Sequence, residues 1–219
     1  MFSAEEIRML LIGIVETVEM TVFSTLFGYI IGLPWGVGLT ITKKGGLAEN
    51  RAVYRVLDIL SNIMRSVPFL ILLIMLIPVT RFVVGTTIGT KAVIFPLTLS
   101  AAPMIARMVQ SSLEEVDAGV IEAARSMGAT TFQIVVHVML VEARISLIAG
   151  ATISTATILG YSAMAGACGG GGLGDIAIRY GYNRYEFDIM IVTVILLVIL
   201  VQIFQLIGTT VGKKLDRRN

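Results

Sequence analysis

Charged residues and cysteines are scarce in this chain. Of its 219 residues only 15% are charged, whereas 56% are hydrophobic and the mean hydropathy is +0.88. A soluble domain of this length needs far more charge on its surface, so the composition predicts an integral membrane protein. The single cysteine, Cys168, excludes an intrachain disulfide and a metal site built from cysteines. The single histidine, His137, is expected on a helix surface.

Catalytic motifs are lacking as well. The sequence holds no Walker lysine, no acidic metal cluster and no set of serine, histidine and aspartate, so the chain is predicted not to be an enzyme. The glycine-rich run 166–174 is not followed by Lys-Ser or Lys-Thr and does not match a phosphate-binding loop. Two interpretations of this run stay open: a flexible outward loop that rearranges when a partner docks, or a tight loop packed against the helices.

The sequence contains several long apolar runs with few charged residues. A helix needs about 20 mostly apolar residues to cross a bilayer core, and five runs come close to that length. The predicted spans are residues 18–41, 56–80, 92–109, 145–165 and 187–211. Residues 1–17 are interpreted as a surface helix and not as a cleaved signal peptide, because Glu5 and Glu6 precede the first run. We therefore predict an all-α membrane domain over residues 18–211, followed by a basic tail at 212–219.

Lysine and arginine are unevenly distributed between the two sides of the predicted spans. They are more frequent in the loop after the first span, in the region 107–144 and in the tail than on the opposite side. Cytoplasmic loops carry the excess of these residues in membrane proteins. The segment 117–142 and the C-terminus are therefore predicted in the cytoplasm, and the N-terminus outside.

Two spans carry features of a solute pathway. The fourth is rich in small and hydroxylated residues, which permit close helix packing and can line water. Tyr161, Ser162 and Met164, at its outer end, either narrow the route or pack inside the bundle. Arg65 in the second span either donates to carbonyls freed by a kink at Pro68 or lines the route. Five helices are too few to enclose a pathway comfortably, so a symmetric homodimer is expected.

Small residues also mark the first span. Gly28, Gly32 and Gly36 recur at four-residue spacing and so share one face of a helix. This pattern predicts that a neighbouring helix packs against that face at close range.

The segment 117–142 is predicted to form a helix, a sharp bend and a second helix. Asp117 can cap the first helix, and Gly128 can adopt the positive φ that ends it. Thr130 and Gln133 have the spacing of a capping box, which starts a second helix towards the fourth span. Ala123 and Ala124 are expected to give the first helix a smooth flank over which the groove of another protein can close.

This segment resembles the EAA loop of ABC importer permeases. The matching positions are Glu122, Ala123, Ala124, Gly128, Val138 and Leu140. Val141 stands where the family pattern has a proline, so the bend into the next span is expected to be softer here. Three such helix-forming residues and a glycine also occur by chance, but their position between the third and fourth spans favours the resemblance.

The resemblance implies partners for the chain. A separate cytoplasmic ABC ATPase, in two copies, would bind ATP and magnesium, while this chain would hold no cofactor and bind no nucleic acid. An extracytoplasmic solute-binding protein or lipoprotein would deliver cargo to a dimer in the bacterial inner membrane. The residues implied in coupling to the ATPase are Glu122, Ala123, Ala124, Arg125, Met127, Gly128 and Ala129.

A closer resemblance extends over nearly the whole chain, to permeases of methionine importers. The runs that carry it are 16–17, 32–34, 65–69, 101–103, 121–123 and 160–164. It implies ATP-driven import of methionine by alternating access. Two alternatives stay open: a permease for another amino acid or small solute, and a self-sufficient channel or secondary carrier. The eleven methionines do not favour a methionine cargo, because methionine is an ordinary filler of apolar interiors.

Overall fold

The structure, a computed structural model, describes residues 2–215, which are mostly helical and contain no strand. The helices in chain order are α1 (Ala4–Thr42), α2 (Arg51–Ser66), α3 (Phe69–Met75), α4 (Ile77–Val84), α5 (Thr90–Glu114), α6 (Ala118–Ser126), α7 (Thr131–Glu142), α8 (Arg144–Gly166), α9 (Gly172–Ile176) and α10 (Phe187–Leu215). Residues Ile134–Met139 of α7, and Ala177–Tyr182 after α9, have π-helical turns. Four helices of the described part, α1, α5, α8 and α10, are long and apolar enough to cross a membrane.

Helix α1 is longer than the first predicted span. It starts at a capping box, in which Ser3 Oγ accepts from the N–H of Glu6 and the Glu6 carboxylate accepts from the N–H of Ser3. From Ala4 it continues to Thr42 without a break and includes Pro34. The segment expected as a separate surface helix is thus continuous with the first span.

The second predicted span, 56–80, is not one straight helix. Helices α2 and α3 meet at an angle of 98°, and α4 follows as a further short helix. The break lies at Val67, which is extended (φ −82°, ψ 123°) because the ring of Pro68 disfavours the helical conformation of the residue before it. Within the described residues the number of spans is therefore four, or five if the bent pair α2–α3 counts as one.

Helices α1 and α5 pack closely along the glycine face predicted from the sequence. A Cβ added at Gly32 would stand 2.8 Å from the carbonyl oxygen of Ala102, and one at Gly36 would stand 2.5 Å from that of Ala106. At Gly28 the nearest atom is the Cδ1 of Ile105. These distances leave no room for a side chain, so the prediction of a close neighbour is confirmed.

Helix α5 lies at the centre of the bundle and connects it to α6 and α7. Its residues Ile105, Val109 and Leu113 are almost fully buried and belong to the same apolar cluster as Ile134 of α7 and Ile158 of α8. This cluster fixes α7 against the ends of the long helices. In contrast, α10 exposes many large apolar side chains along its length, as a helix in contact with lipid does.

The glycine-rich run forms a tight loop, the second of the two interpretations. The N–H of Gly172 donates to the Glu16 carboxylate over 2.7 Å, and the N–H of Leu173 donates to the Thr17 hydroxyl over 2.9 Å. Gly174 lies directly against the backbone of Ala163, where a side chain would not fit. Helix α1 thus supplies the caps for α9, and the run 166–174 is held against the bundle.

Candidate coupling surface and translocation groove

Helices α6 and α7 form the predicted helix, bend and helix. The Asp117 carboxylate accepts from the N–H of Gly119 over 2.7 Å at the start of α6, and Gly128 has a φ of +82° after its end. Thr130 and Gln133 form the capping box: the Gln133 N–H donates to Thr130 Oγ1 over 3.3 Å, and Gln133 Oε1 accepts from the Thr130 N–H over 2.9 Å. The local signals in the sequence therefore specified this segment correctly.

The outward face of α6 differs from the expected one. Ala124 is only 5% exposed and packs into the core cluster, so it does not belong to the flank that another protein could cover. Ala129 is half-buried against the same cluster. Of the residues implied in coupling, those on the outside are Glu122, Ala123, Arg125, Met127 and Gly128.

Two large apolar side chains stand out on this surface. Met127 is 81% exposed and Phe132 is 72% exposed, one on each side of the bend at Gly128. Phe132 of α7 therefore faces outward, whereas Ile134 and Val135 of the same helix are buried. We call the exposed set Glu122, Ala123, Arg125, Met127 and Phe132 the coupling surface.

The junction between α7 and α8 lies where the family motif has its proline. Val141 is exposed in the last turn of α7, and only Ala143 separates this helix from α8. Ala143 has a φ of −76° and a ψ of 0°, so the chain turns here without a proline.

A cavity of about 300 Å³ separates α6 from the loop after α1. Its walls include Glu122 and Arg125 of α6 and the ion pair between Lys43 and Glu114, whose Nζ–Oε1 distance is 2.9 Å. In the same loop, the N–H of Gly45 donates to Glu49 and is the main cause that lowers the pKa of this carboxyl group, with Arg51 contributing in the same direction.

A chain of polar side chains leads from this cavity into the bundle. Gln110 donates to Glu114 over 3.0 Å, and Arg107 donates to Gln110 over 2.9 Å. Arg107 also forms an ion pair with Asp58 of α2 and donates to Asn62 over 3.0 Å. No local pattern in the sequence predicts this network, although an arginine inside an apolar span is a signal for a buried partner.

The predicted gate residues do not share one environment. The ring of Tyr161 stacks on Phe69 of α3, with centroids 4.9 Å apart and an angle of 6° between the rings. Ser162 is buried and donates to the carbonyl of Leu159 over 2.8 Å. Only Met164 is exposed, on the α8 face that also carries Gly160 and Ile153. Tyr161 and Ser162 thus pack inside the chain, and Met164 faces outward.

A groove of about 370 Å³ lies between α5 and α8 on this face, and Arg65 borders it. Among residues 2–215 the Arg65 guanidinium forms no ion pair and no hydrogen bond, so it does not donate to carbonyls at the Pro68 kink. The remaining lining residues are Met104, Arg107, Met108, Ser111, Ser112, Ser146, Ala149, Gly150 and Ile153. We call this cavity the translocation groove, after the solute pathway that the sequence predicts along the second and fourth spans.

The described part of the chain thus combines span-length helices, a capped elbow with an exposed apolar tip and a groove between α5 and α8. The model of the family described as binding-protein-dependent transport system inner membrane component matches residues 24–219. The chain belongs to this family, a class of multi-pass inner membrane proteins.

More specific relatives lie within that family. The probable D-methionine transport system permease protein MetI of Vibrio cholerae is 50% identical over 203 residues, which cover 93% of this chain and 90% of the relative. The D-methionine transport system permease protein MetI of Salmonella typhimurium is 53% identical over 154 residues, or 70% and 71% of the two chains. The resemblance to methionine-importer permeases seen in the sequence is thereby confirmed.

Solved structures agree with this family assignment. A chain from the MetNI methionine ABC transporter in an inward-facing conformation has a TM-score of 0.97 and 48% identity, and the match covers 99% of this chain and 100% of the other. A chain of an amino acid ABC transporter has a TM-score of 0.74 at 19% identity, which shows a shared fold.

Proposed function

We propose that the chain is the permease subunit of an ATP-driven importer of methionine in the bacterial inner membrane. The observation that carries this proposal is the 50% identity over 93% of the chain to a D-methionine transport permease, together with the TM-score of 0.97 to a MetNI chain. The subunit moves methionine by alternating access, and the energy comes from a separate ATPase.

The coupling surface is the contact for that ATPase. Met127 and Phe132 give it an apolar centre, and Glu122 and Arg125 give it a charged rim, which is the usual arrangement of a protein interface. Ala124 and Ala129 support α6 from inside, because they pack on the apolar cluster around α5. A push on α6 is thereby transmitted to the long helices, since a packed core moves as a unit.

The transport route runs along the face shared by α5 and α8, between two copies of the chain. This face holds Met164 at its outer end and Arg65 with the translocation groove at the other. One copy leaves the groove open on one side, and a second copy related by a two-fold axis closes it. Tyr161 acts on the route indirectly, by holding α8 against Phe69 of α3.

The partners follow from this assignment: two copies of a cytoplasmic ABC ATPase with ATP and magnesium, a second permease, and an extracytoplasmic solute-binding protein. The N-terminus lies outside, whereas the 117–142 segment and the basic C-terminal tail lie in the cytoplasm.

Co-purification and uptake test the proposal. The tagged chain, extracted from its own membranes, should bring an ABC ATPase with it. Proteoliposomes that hold this complex and its binding protein should take up labelled methionine only with ATP, and unlabelled methionine should compete better than other amino acids. Uptake by the chain alone, without nucleotide, would refute the proposal and indicate a self-sufficient carrier. Better competition by another amino acid would correct the cargo.

A further inference from the structure

We propose that the translocation groove is a binding site for the transported amino acid, in which the Arg65 guanidinium holds the substrate carboxylate. This inference rests on the proposed function and deepens it, because it assigns a substrate contact to this chain.

The charges around the groove favour an anionic group. Two guanidinium groups line it, and no acidic residue does so in the described part of the chain. Arg107 is already paired with Asp58, whereas Arg65 has no carboxylate within 4.0 Å among residues 2–215. The unpaired guanidinium offers a planar fork of N–H donors that matches a carboxylate in two parallel hydrogen bonds.

The other walls suit the remainder of a small amino acid. Met104, Met108 and Ile153 offer apolar and polarizable contacts for an uncharged side chain. Ser112 and Ser146, whose hydroxyl oxygens lie 3.0 Å apart, and Ser111 offer acceptors for an ammonium group. A volume of about 370 Å³ is at the lower end of the range of small-molecule sites, so the groove fits one amino acid and not a peptide.

The position of the groove fits a late step of import. The fold superposes on an inward-facing transporter chain with a TM-score of 0.97. In an inward-facing transporter the cargo has entered from the outer side and has not yet been released, so we infer a transient contact of low affinity. The role of Arg65 is then to attract the carboxylate, while the ion pair with Asp58 keeps Arg107 from competing for it.

Cysteine protection in the whole transporter tests this site. Cys168 is the one native cysteine, so Cys168→Ser gives a background for a single reporter at Ala149→Cys, an exposed position in the groove. In the complex with its ATPase, millimolar methionine should slow maleimide labelling of the reporter. At a concentration twice the Kd the slowing is about threefold, because the free fraction falls as 1/(1 + [L]/Kd). Methioninamide, which lacks the carboxylate, should give little protection.

Variants of Arg65 complete the test. Arg65→Gln should abolish the protection, Arg65→Lys should retain part of it, and Arg81→Gln, a change at an exposed arginine outside the groove, should leave it unchanged. The inference would be overturned if methionine and methioninamide protected the reporter equally. It would also be overturned if methionine protected the reporter as strongly in the Arg65→Gln complex as in its parent. The same holds if methionine protects neither Ala149→Cys nor a second reporter, Ile153→Cys. Uptake by the same proteoliposomes separates the two proposals: import without protection refutes only the groove site, whereas absence of ATP-driven methionine import refutes the proposed function itself.

Discussion

The ion pair between Asp58 and Arg107 gives a prediction whose magnitude follows from the structure. Asp58→Asn keeps the shape of the side chain but leaves the Arg107 guanidinium, 22% exposed, without its counter-charge. Removing one partner of a buried pair costs about 3–5 kcal/mol, and we expect about 3 kcal/mol because both side chains keep some contact with solvent. Arg107→Gln should cost a similar amount, since it leaves Asp58 charged and unpaired.

A double-mutant cycle isolates the pair. Two independent losses of about 3 kcal/mol would sum to about 6 kcal/mol, but the double variant removes both charges and should cost only about 3–4 kcal/mol, which gives a coupling energy of about 2–3 kcal/mol. The pair Glu49 and Arg51 is the matched control, because its side chains are 40% and 78% exposed and it should show no resolvable coupling.

The assay uses the lone tryptophan of the chain. Trp35 Nε1 donates to the carbonyl of Leu57, the residue before Asp58, so its fluorescence reports on the contact between α1 and α2. The purified chain is unfolded with SDS in mixed micelles, and the transition gives the free energy of unfolding of each variant. Additive losses in the double variant, or an Asp58→Asn chain as stable as the parent, would refute the reasoning.

Three further predictions concern glycines and the coupling surface. Gly128→Val places a β-branched side chain at φ +82°, which costs more than about 1–2 kcal/mol and should distort the bend. ATP hydrolysis should then continue while methionine uptake falls. In the control Gly45→Val, at φ +76° in another loop, ATP hydrolysis and uptake should stay coupled. Gly36→Ala should destabilise the chain by about 1–3 kcal/mol in the SDS assay, because its Cβ meets the α5 backbone, whereas Gly160→Ala enters open space and should be neutral. Met127→Asp should weaken co-purification of the ATPase more than tenfold, as expected for a central apolar contact, and Met127→Leu should retain it. Normal uptake by Gly128→Val would contradict the role of the bend in coupling. Equal stability of the Gly36→Ala chain and its parent would contradict the close packing of α1 on α5. Undiminished ATPase recovery with Met127→Asp would contradict the assignment of the coupling surface.

The sequence by itself determined the membrane class and the features that arise from neighbouring residues. Hydropathy located the long helices, since a span is a property of one continuous segment. The helix, bend and helix at 117–142 followed from Asp117, Gly128 and the Thr130 capping box, each of which acts within three or four residues. The glycine face of α1 followed from helical periodicity. The sequence did not identify α5 as the helix that packs against it.

Only the tertiary structure decided which residues meet across the chain. Asp58 and Arg107 are 49 residues apart, and Glu16 and Gly172 are 156 apart, so no local pattern relates them. The rotation of α6 that buries Ala124 and exposes Met127, and the position of Arg65 beside the translocation groove, depend on how whole helices pack. Helix formation is governed by hydrogen bonds and caps within a few residues, whereas the relative placement of helices is governed by close packing between distant segments. This is why the sequence specified the elements, whereas the fold decided how their side chains meet.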